Sequence, residues 1–428
     1  MKKKDTTVQR AARVITPALH IYYPINVVSG KGIHVHSSSG QTYMDFSSGL
    51  AVLNIGHNHP RVLEAVRNQM LHVIHTGGIY YNETTVAAAE HLVSVTPKGL
   101  DMLFFSNSGA EAVEGALKLA RHVTGRQGII SFTGGFHGRT LGALSITTSS
   151  ARYRENYLPL LPSVYHVPYP YCFRCPFNCE SNVCALRCFD YLKETLARVI
   201  SPEEVAAIII EPVLGEGGYF PAPHPFILAL RELCTRHGIM LIFDEVQSGM
   251  GRTGRWFATE YYGVVPDIVT VAKGIASGFP LSAVVSTPEL MRRWPEGSHG
   301  TTFGGNPVSC AASIATIEVI REEGLLKKSS VIGTAALDRL HELADVHPLV
   351  GSVRGFGYMI GVEFVRETGE PNGDACRKVL DYCLKKGLVL IGCGLDRNVI
   401  RFIPPLIATE AEVNLALDIM EAGVKTLS

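Results

Sequence analysis

The chain has 428 residues, and its 39 Lys plus Arg are balanced by 39 Asp plus Glu, for a formal net charge of zero. That balance argues against nucleic acid or an anionic membrane as the main partner. Hydrophobic residues make up 46% and charged residues 18%, the composition of a soluble globular protein too long for one simple core.

The start, Met1 to Lys4, is basic, but no apolar run follows it. It does not read as a signal peptide, no stretch is long enough to span a membrane, and the cytoplasm is the default location. Residues 1–30 read as an arm of weak periodicity. Lys31 to Phe46 reads as a hairpin turning at Ser37 to Gly40. A helix is predicted after Pro60, with Val62, Ala65, Val66 and Met70 at helical spacing. His34 and His36 read as residues of a hairpin strand, and His57 and His59 as a turn before Pro60. Neither pair has a neighbouring acid or cysteine in sequence to complete a metal site.

From about residue 85 to 325, helical patterns alternate with short apolar runs. The predicted strands are 102–105, 128–132, 206–210, 240–243, 268–271 and 281–285. This alternation predicts an α/β fold with a mostly parallel sheet and helices on both faces. Such sheets place ligands at the carboxyl ends of the strands. After Gly324 come a long helix near 325–345, a glycine-rich stretch from Gly351 to Phe364, a helix, strands at 388–391 and 399–402, and a final helix. The expected division is an arm with part of a small domain at 1–60, a large domain at 61–325, and a small α+β domain at 326–428.

Several strand ends carry polar groups. Ser108, Gly109 and Ala110 follow the first strand and open a helix, which suits phosphate binding by free backbone N–H groups or an ordinary N-cap by Ser108 or Asn107. Phe136, His137 and Arg139 follow the next strand. The aromatic ring can stack on a planar cofactor and the arginine can receive a carboxylate, or the segment is a turn with an exposed arginine. Glu211 and Glu216 follow a third strand, as cleft acids or as a solvated loop. Gly249 to Gly254 matches a dinucleotide fingerprint as a string, but Asp244 to Gln247 intervene after the strand and no clean helix follows.

Lys273 lies just beyond a strand, about thirty residues after Asp244. A lysine there, with an acid on a neighbouring strand end, suits a Schiff-base enzyme. The amine can bind pyridoxal phosphate, and the acid can keep its pyridine nitrogen protonated. A separate cluster, Cys172, Cys175, Cys179, Cys184 and Cys188, reads as an insertion at about 170–188. Its alternatives are zinc or an iron–sulfur cluster, disulfides, or reduced thiols.

Together, Asp244 to Gly254 (Asp-Glu-Val-Gln-Ser-Gly-Met-Gly-Arg-Thr-Gly), then Lys273, then Thr302 to Pro307 (Thr-Phe-Gly-Gly-Asn-Pro) resemble the class III aminotransferases of the fold-type-I pyridoxal phosphate superfamily. The resemblance runs from about Tyr23 to the C-terminus. It implies that Lys273 is the Schiff-base lysine and proton shuttle, that Asp244 pairs with the pyridine nitrogen, and that Gln247 approaches the ring hydroxyl. Ser108, Gly109 and Ala110 would hold the phosphate, and Phe136 would stack on the ring beside His137. Thr302 would reach the phosphate in a neighbouring subunit of a homodimer, or of a tetramer built from it. The segment Asp45 to Pro60, which includes Leu50, is similar to the 4-aminobutyrate branch.

In that branch Arg139 would bind the distal carboxylate of an ω-amino acid and Arg401 the α-carboxylate of glutamate. Glu216 would mask and unmask Arg401, and Glu211 would favour an amine-bearing substrate. Ornithine and acetylornithine aminotransferases and amino-acid racemases share the scaffold. The expected activity is amino transfer from 4-aminobutyrate to 2-oxoglutarate by a ping-pong mechanism. The iron–sulfur cluster of mammalian relatives does not carry over, because Phe105 and Ser108 stand at its ligand region.

Overall fold

The computed structural model describes residues 6–180, 184 and 186–427. Its largest sheet has seven strands, in the spatial order Met102–Ser106, Ser282–Ser286, Ile268–Val271, Met240–Asp244, Val205–Ile210, Gly128–Phe132 and Val164–Val167. Ser282–Ser286 runs antiparallel to both of its neighbours. The pairs to its other side are parallel. The six predicted strands are present, with ends displaced by a residue at most. Val164–Val167 was not expected. It is short, half-buried, and pairs at one edge only, so its residues lack a continuous apolar signal.

Alternation along the strands sends neighbouring side chains to opposite faces. Ile208, Ile210, Leu241 and Phe243 pack with Phe226, Ile227 and Leu230 of the helix His224–His237. Ala207, Ile209 and Ile242 pack with Ala112, Ala116 and Leu119 of the helix Gly109–Thr124. Every residue of Val205–Ile210 is buried, and each such isoleucine contributes roughly 1.5–3 kcal/mol by leaving water. Covering both faces leaves only the strand ends open to polar chemistry.

The predicted hairpin forms from His34–Ser37 and Thr42–Asp45, and Val27–Lys31 joins it. The arm is not featureless. Thr7–Val14 is a helix, capped reciprocally by Thr6 and Gln9, and it buries none of its residues. The predicted strand at 388–391 is two strands. Leu388–Val389 pairs in parallel with Thr42–Asp45, whereas Ile391–Cys393 pairs with Val399–Phe402. One apolar run therefore serves two sheets, and the two ends of the chain share one of them. The long helix is Leu325–Val346, and the glycine-rich stretch is a pair of strands, Val350–Phe356 and Met359–Phe364.

His57 does gain an acid. Its Nε2 lies 2.8 Å from Asp45 Oδ2, because Gly32 and His57 bridge as isolated strand partners. His59 approaches Glu323 at 3.6 Å. Among the described residues no group of three or more His, Cys, Asp or Glu is arranged to hold a metal ion. All five cysteines of the cluster are free thiols. Cys188 lies on the helix Arg187–Arg198 and is buried, so it is not part of the loop. Burial pushes its thiol up to about 12. Tyr171 and Arg174 tie the start of the loop to Glu363.

The stretch Gly249 to Gly254 is a structural tie. Arg252 is fully buried. It donates to Asn54 Oδ1 at 2.6 Å, to the Pro404 carbonyl and to the Tyr358 carbonyl at 3.5 Å. It thereby links the N-terminal segment, the large sheet and the C-terminal region. Burial pulls its pKa down to about 10, so it stays charged at neutral pH. Arg252→Leu would strand these acceptors without a donor. It is expected to cost at least ~3 kcal/mol in denaturant unfolding, and a loss below ~1 kcal/mol would show that the tie is not needed.

Candidate active site

The carboxyl ends of five strands and the start of the helix Gly109–Thr124 meet at one cavity of about 420 Å³. It is lined by Ser108, Gly109, Ala110, Phe136, His137, Arg139, Glu211, Asp244, Val246, Gln247 and Lys273, among others. Glu216 and Arg401 pair beside it through a short ion pair. Leu50 does not line the cavity. It is 45% exposed and sits in a left-handed turn, with Ser48, Gly49, Leu50 and Ala51 all at positive φ. Val52 lines the cavity instead. Thr302 is exposed and also lies outside the lining.

Asp244 ends the strand Met240–Asp244 and is buried. A buried carboxylate needs hydrogen bonds or a counter-charge. Its Oδ1 accepts from Thr270 Oγ1 at 3.0 Å and from Val246 N–H at 3.1 Å, and its Oδ2 meets His137 Nδ1 at 2.7 Å. Burial disfavours charge on His137, but the hydrogen bond to Asp244 and the nearby carboxylates outweigh it and raise the pKa. The pair fixes the direction of the Asp244 carboxylate.

Lys273 follows the strand Ile268–Val271 by two residues and opens a short 3₁₀ turn with φ +45°. A bulky residue in this region is strained by about 1–3 kcal/mol. Its amine faces the cavity, surrounded by protein. Desolvation, assisted by the positive charge of Arg401, pulls its pKa down to about 8, although Asp244, Glu211 and Glu216 pull the other way. A lysine that loses its proton this easily is a usable nucleophile and base near neutral pH.

Glu211 is held by the backbone of two loops. Its Oε2 accepts from Phe136 N–H at 2.9 Å and its Oε1 from Gly215 N–H at 3.0 Å. Burial pushes its pKa up to about 7. Arg401 donates to Glu216 and, at 2.9 Å, to the Gly392 carbonyl. Burial opposes the charge on Arg401, but Glu216 beside it raises the pKa above the ordinary arginine value.

Two residues of the site were absent from the sequence reading. Tyr219 donates to Gln247 Oε1 at 2.5 Å, and its ring lies 5.8 Å from the guanidinium carbon of Arg401. It follows Glu216 by three residues, so the polar strand end could have pointed to it. Tyr153 packs 3.6 Å from the guanidinium carbon of Arg139. No local pattern marks it.

The residues fit pyridoxal phosphate. Ser108 is the N-cap of Gly109–Thr124, its side chain accepting from Glu111 N–H. The Glu111 carboxylate accepts from Asn107 and Ser108 N–H. The N–H groups of Gly109 and Ala110 have no acceptor among the described residues, and they stand where a helix start favours a phosphate. Close packing keeps this end small. A Cβ on Gly109 would meet Val246 at 2.9 Å, and one on Gly138 would meet Ala110 at 2.7 Å. Phe136 supplies a ring face, Asp244 an oriented carboxylate, and Lys273 the amine.

The sequence model of the family described as aminotransferase class-III matches residues 17–424. The chain is 37% identical to the probable 4-aminobutyrate aminotransferase of Bacillus subtilis, over 93% of this chain and 92% of that protein. It is 42% identical to the acetylornithine aminotransferase of Methanocaldococcus jannaschii, over 94% of each. It is 38% identical to the leucine/methionine racemase of Thermococcus litoralis, over 99% and 96%. Among solved structures, a PLP-bound amine transaminase from an uncultivated Pseudomonas species is similar with a TM-score of 0.87. It is 30% identical, and the match covers 94% of this chain and 95% of that one.

The lowered pKa of Lys273 has a measurable consequence. Only the neutral amine attacks an aldehyde. Protein stripped of cofactor should therefore take up pyridoxal phosphate at a rate that rises with pH through about 8 and then levels off. A rate still climbing toward the ordinary lysine value of 10.5 would show that the amine is not desolvated.

Proposed function

The chain belongs to the class III aminotransferases, and we propose that it moves the amino group of an ω-amino acid, 4-aminobutyrate foremost, to 2-oxoglutarate in two alternating half-reactions. Its cofactor is pyridoxal 5′-phosphate. When bound, this supplies an aldehyde for the amine and a ring that withdraws electrons from the reacting carbon. In this reading Lys273 Nζ takes the proton from the substrate's amine-bearing carbon. Asp244, oriented by His137 and Thr270, keeps the ring nitrogen protonated. Phe136 and Gln247 position the ring, and Ser108, Gly109 and Ala110 hold the phosphate.

The observation that carries the substrate class is the Glu216–Arg401 ion pair beside a cavity that also exposes Arg139. An ω-amino acid has one carboxylate, far from its amine. Glutamate and 2-oxoglutarate have two. A site with one open arginine and one masked by a displaceable acid accepts both kinds of ligand. Arg139 binds the distal carboxylate in each half-reaction, and Arg401 binds the α-carboxylate once Glu216 moves away. Buried Glu211 faces the same cavity and favours a ligand with an ammonium group.

The proposed assembly is a homodimer in which Thr302 serves the neighbouring subunit's phosphate. Leu71, Ile74, Ile79, Tyr80 and Phe303 are exposed on the segments around Thr302. These segments adjoin one another, with Asn306 Nδ2 donating to the Ile74 carbonyl. Such an apolar surface suits a second copy of the chain. A reducing cytoplasm suits the ten cysteines, all of them thiols.

Adding 4-aminobutyrate alone to the cofactor-loaded protein is expected to abolish the visible absorption band of the bound aldehyde form, and 2-oxoglutarate should restore it. Arg139→Gln should raise KM for 4-aminobutyrate by roughly a hundredfold, with a smaller change in kcat. A band that persists with 4-aminobutyrate but is lost with acetylornithine would transfer the assignment to that amine. Loss of optical activity in an L-amino acid without any oxoacid would assign a racemase instead.

A further inference from the structure

Tyr153 ends a short 3₁₀ turn, Ala151–Tyr153. Its ring lies 3.6 Å from the guanidinium carbon of Arg139 and meets Phe136 edge-on, with centroids 5.9 Å apart. Its hydroxyl is 3.5 Å from Glu216 Oε1. The other oxygen, Glu216 Oε2, receives Arg401. One side chain thus touches both carboxylate-binding arms, Arg139 directly and Arg401 through Glu216.

A separation of 3.5 Å is at the outer limit of a hydrogen bond. While Glu216 holds Arg401, Tyr153 holds Glu216 only loosely. When a 2-oxoacid takes Arg401, Glu216 loses its counter-charge and needs another donor, because a half-buried carboxylate without one is costly. Apart from Arg401, Tyr153 is the side chain that already stands at hydrogen-bond distance from Glu216 among the described residues. Glu216 and Tyr153 also border a second cavity of about 510 Å³, together with His20, Tyr22 and Arg152, which leaves room for the carboxylate to swing. Burial and the Glu216 carboxylate raise the phenol's pKa, although Arg139 and Arg401 oppose them, so the hydroxyl keeps its proton.

We propose that Tyr153 is the alternate partner of Glu216, receiving its carboxylate when a dicarboxylate occupies Arg401, while its ring steadies Arg139. This inference rests on the two-arginine reading above. Tyr153 is a positioning residue, since it touches no reacting atom. Its hydroxyl serves only the half-reaction that needs Arg401 unmasked, and its ring serves both.

The test uses the cofactor-loaded Tyr153→Phe and Tyr153→Leu proteins. Glutarate, a dicarboxylate with no amine or keto group, is titrated by calorimetry. The two half-reactions are followed separately by stopped-flow absorption. Tyr153→Phe should weaken glutarate binding roughly tenfold. It should raise KM for 2-oxoglutarate in proportion and leave the 4-aminobutyrate half-reaction unchanged. Tyr153→Leu should also raise KM for 4-aminobutyrate, by roughly five- to tenfold. In a Glu216→Gln background, Tyr153→Phe should have no further effect on glutarate binding. Unchanged glutarate binding in Tyr153→Phe overturns the inference, as does an equal slowing of both half-reactions. If the unsubstituted protein ignores 4-aminobutyrate, the choice of amine donor fails by itself, and glutarate binding still decides the role of Tyr153.

Discussion

The carboxylate of Asp244 is the fixed point of the molecule. It is buried at the end of a strand in the middle of the seven-stranded sheet, with Thr270, the Val246 N–H and His137 all directed at it. Left unpartnered, such a group would cost several kcal/mol or take up a proton. Its partners come from three different strand ends or turns, so the strand order has to be right before the charge can be held. The same order puts Lys273 one strand away, where desolvation inside the cavity lowers the pKa of its amine. The oriented carboxylate and the desolvated amine, which the proposed mechanism assigns to the ring nitrogen and the aldehyde, are consequences of one sheet topology.

Around this fixed pair, the remaining charged groups come from loops and from the C-terminal region. Glu216 lies on a loop after the strand Val205–Ile210 and pairs with Arg401 from a strand of the C-terminal region. Arg139 lies on a glycine-rich turn and carries no ion pair among the described residues. Arg252, with no side chain in the cavity, ties together the segments that bring these parts into reach. In the proposed function, strand ends hold the cofactor groups, and Glu216 and Arg139 on loops, with Arg401 on a strand, distinguish one carboxylate from two.

Much of this was legible in the sequence because doubly covered parallel strands are continuous apolar runs, and polar residues at their ends stand out. Asp244, Lys273, Glu211 and the Ser108–Ala110 turn were singled out that way, and the structure brings them to one cavity. Strand Val164–Val167 was missed because an edge strand with one neighbour has no need to be apolar throughout. The run 388–391 read as one strand because hydrophobicity does not say which sheet a residue joins. His57 and Asp45 are twelve positions apart, and only the hairpin's return brings them into contact. Tyr153 and Tyr219 sit in turns, and their roles come from contacts with residues far away along the chain. Leu50 was placed by resemblance; it sits in a left-handed turn at Ser48–Ala51 and is not among the residues that line the cavity.

The central claim is that Lys273 is the residue to which pyridoxal phosphate is joined. Borohydride reduction of the cofactor-loaded protein fixes that linkage permanently, and peptide mass spectrometry then locates it. The pyridoxyl group should be found on the peptide containing Lys273, at close to one per chain. Its recovery on a different lysine, or on none, would contradict the assignment and the placement of the site with it.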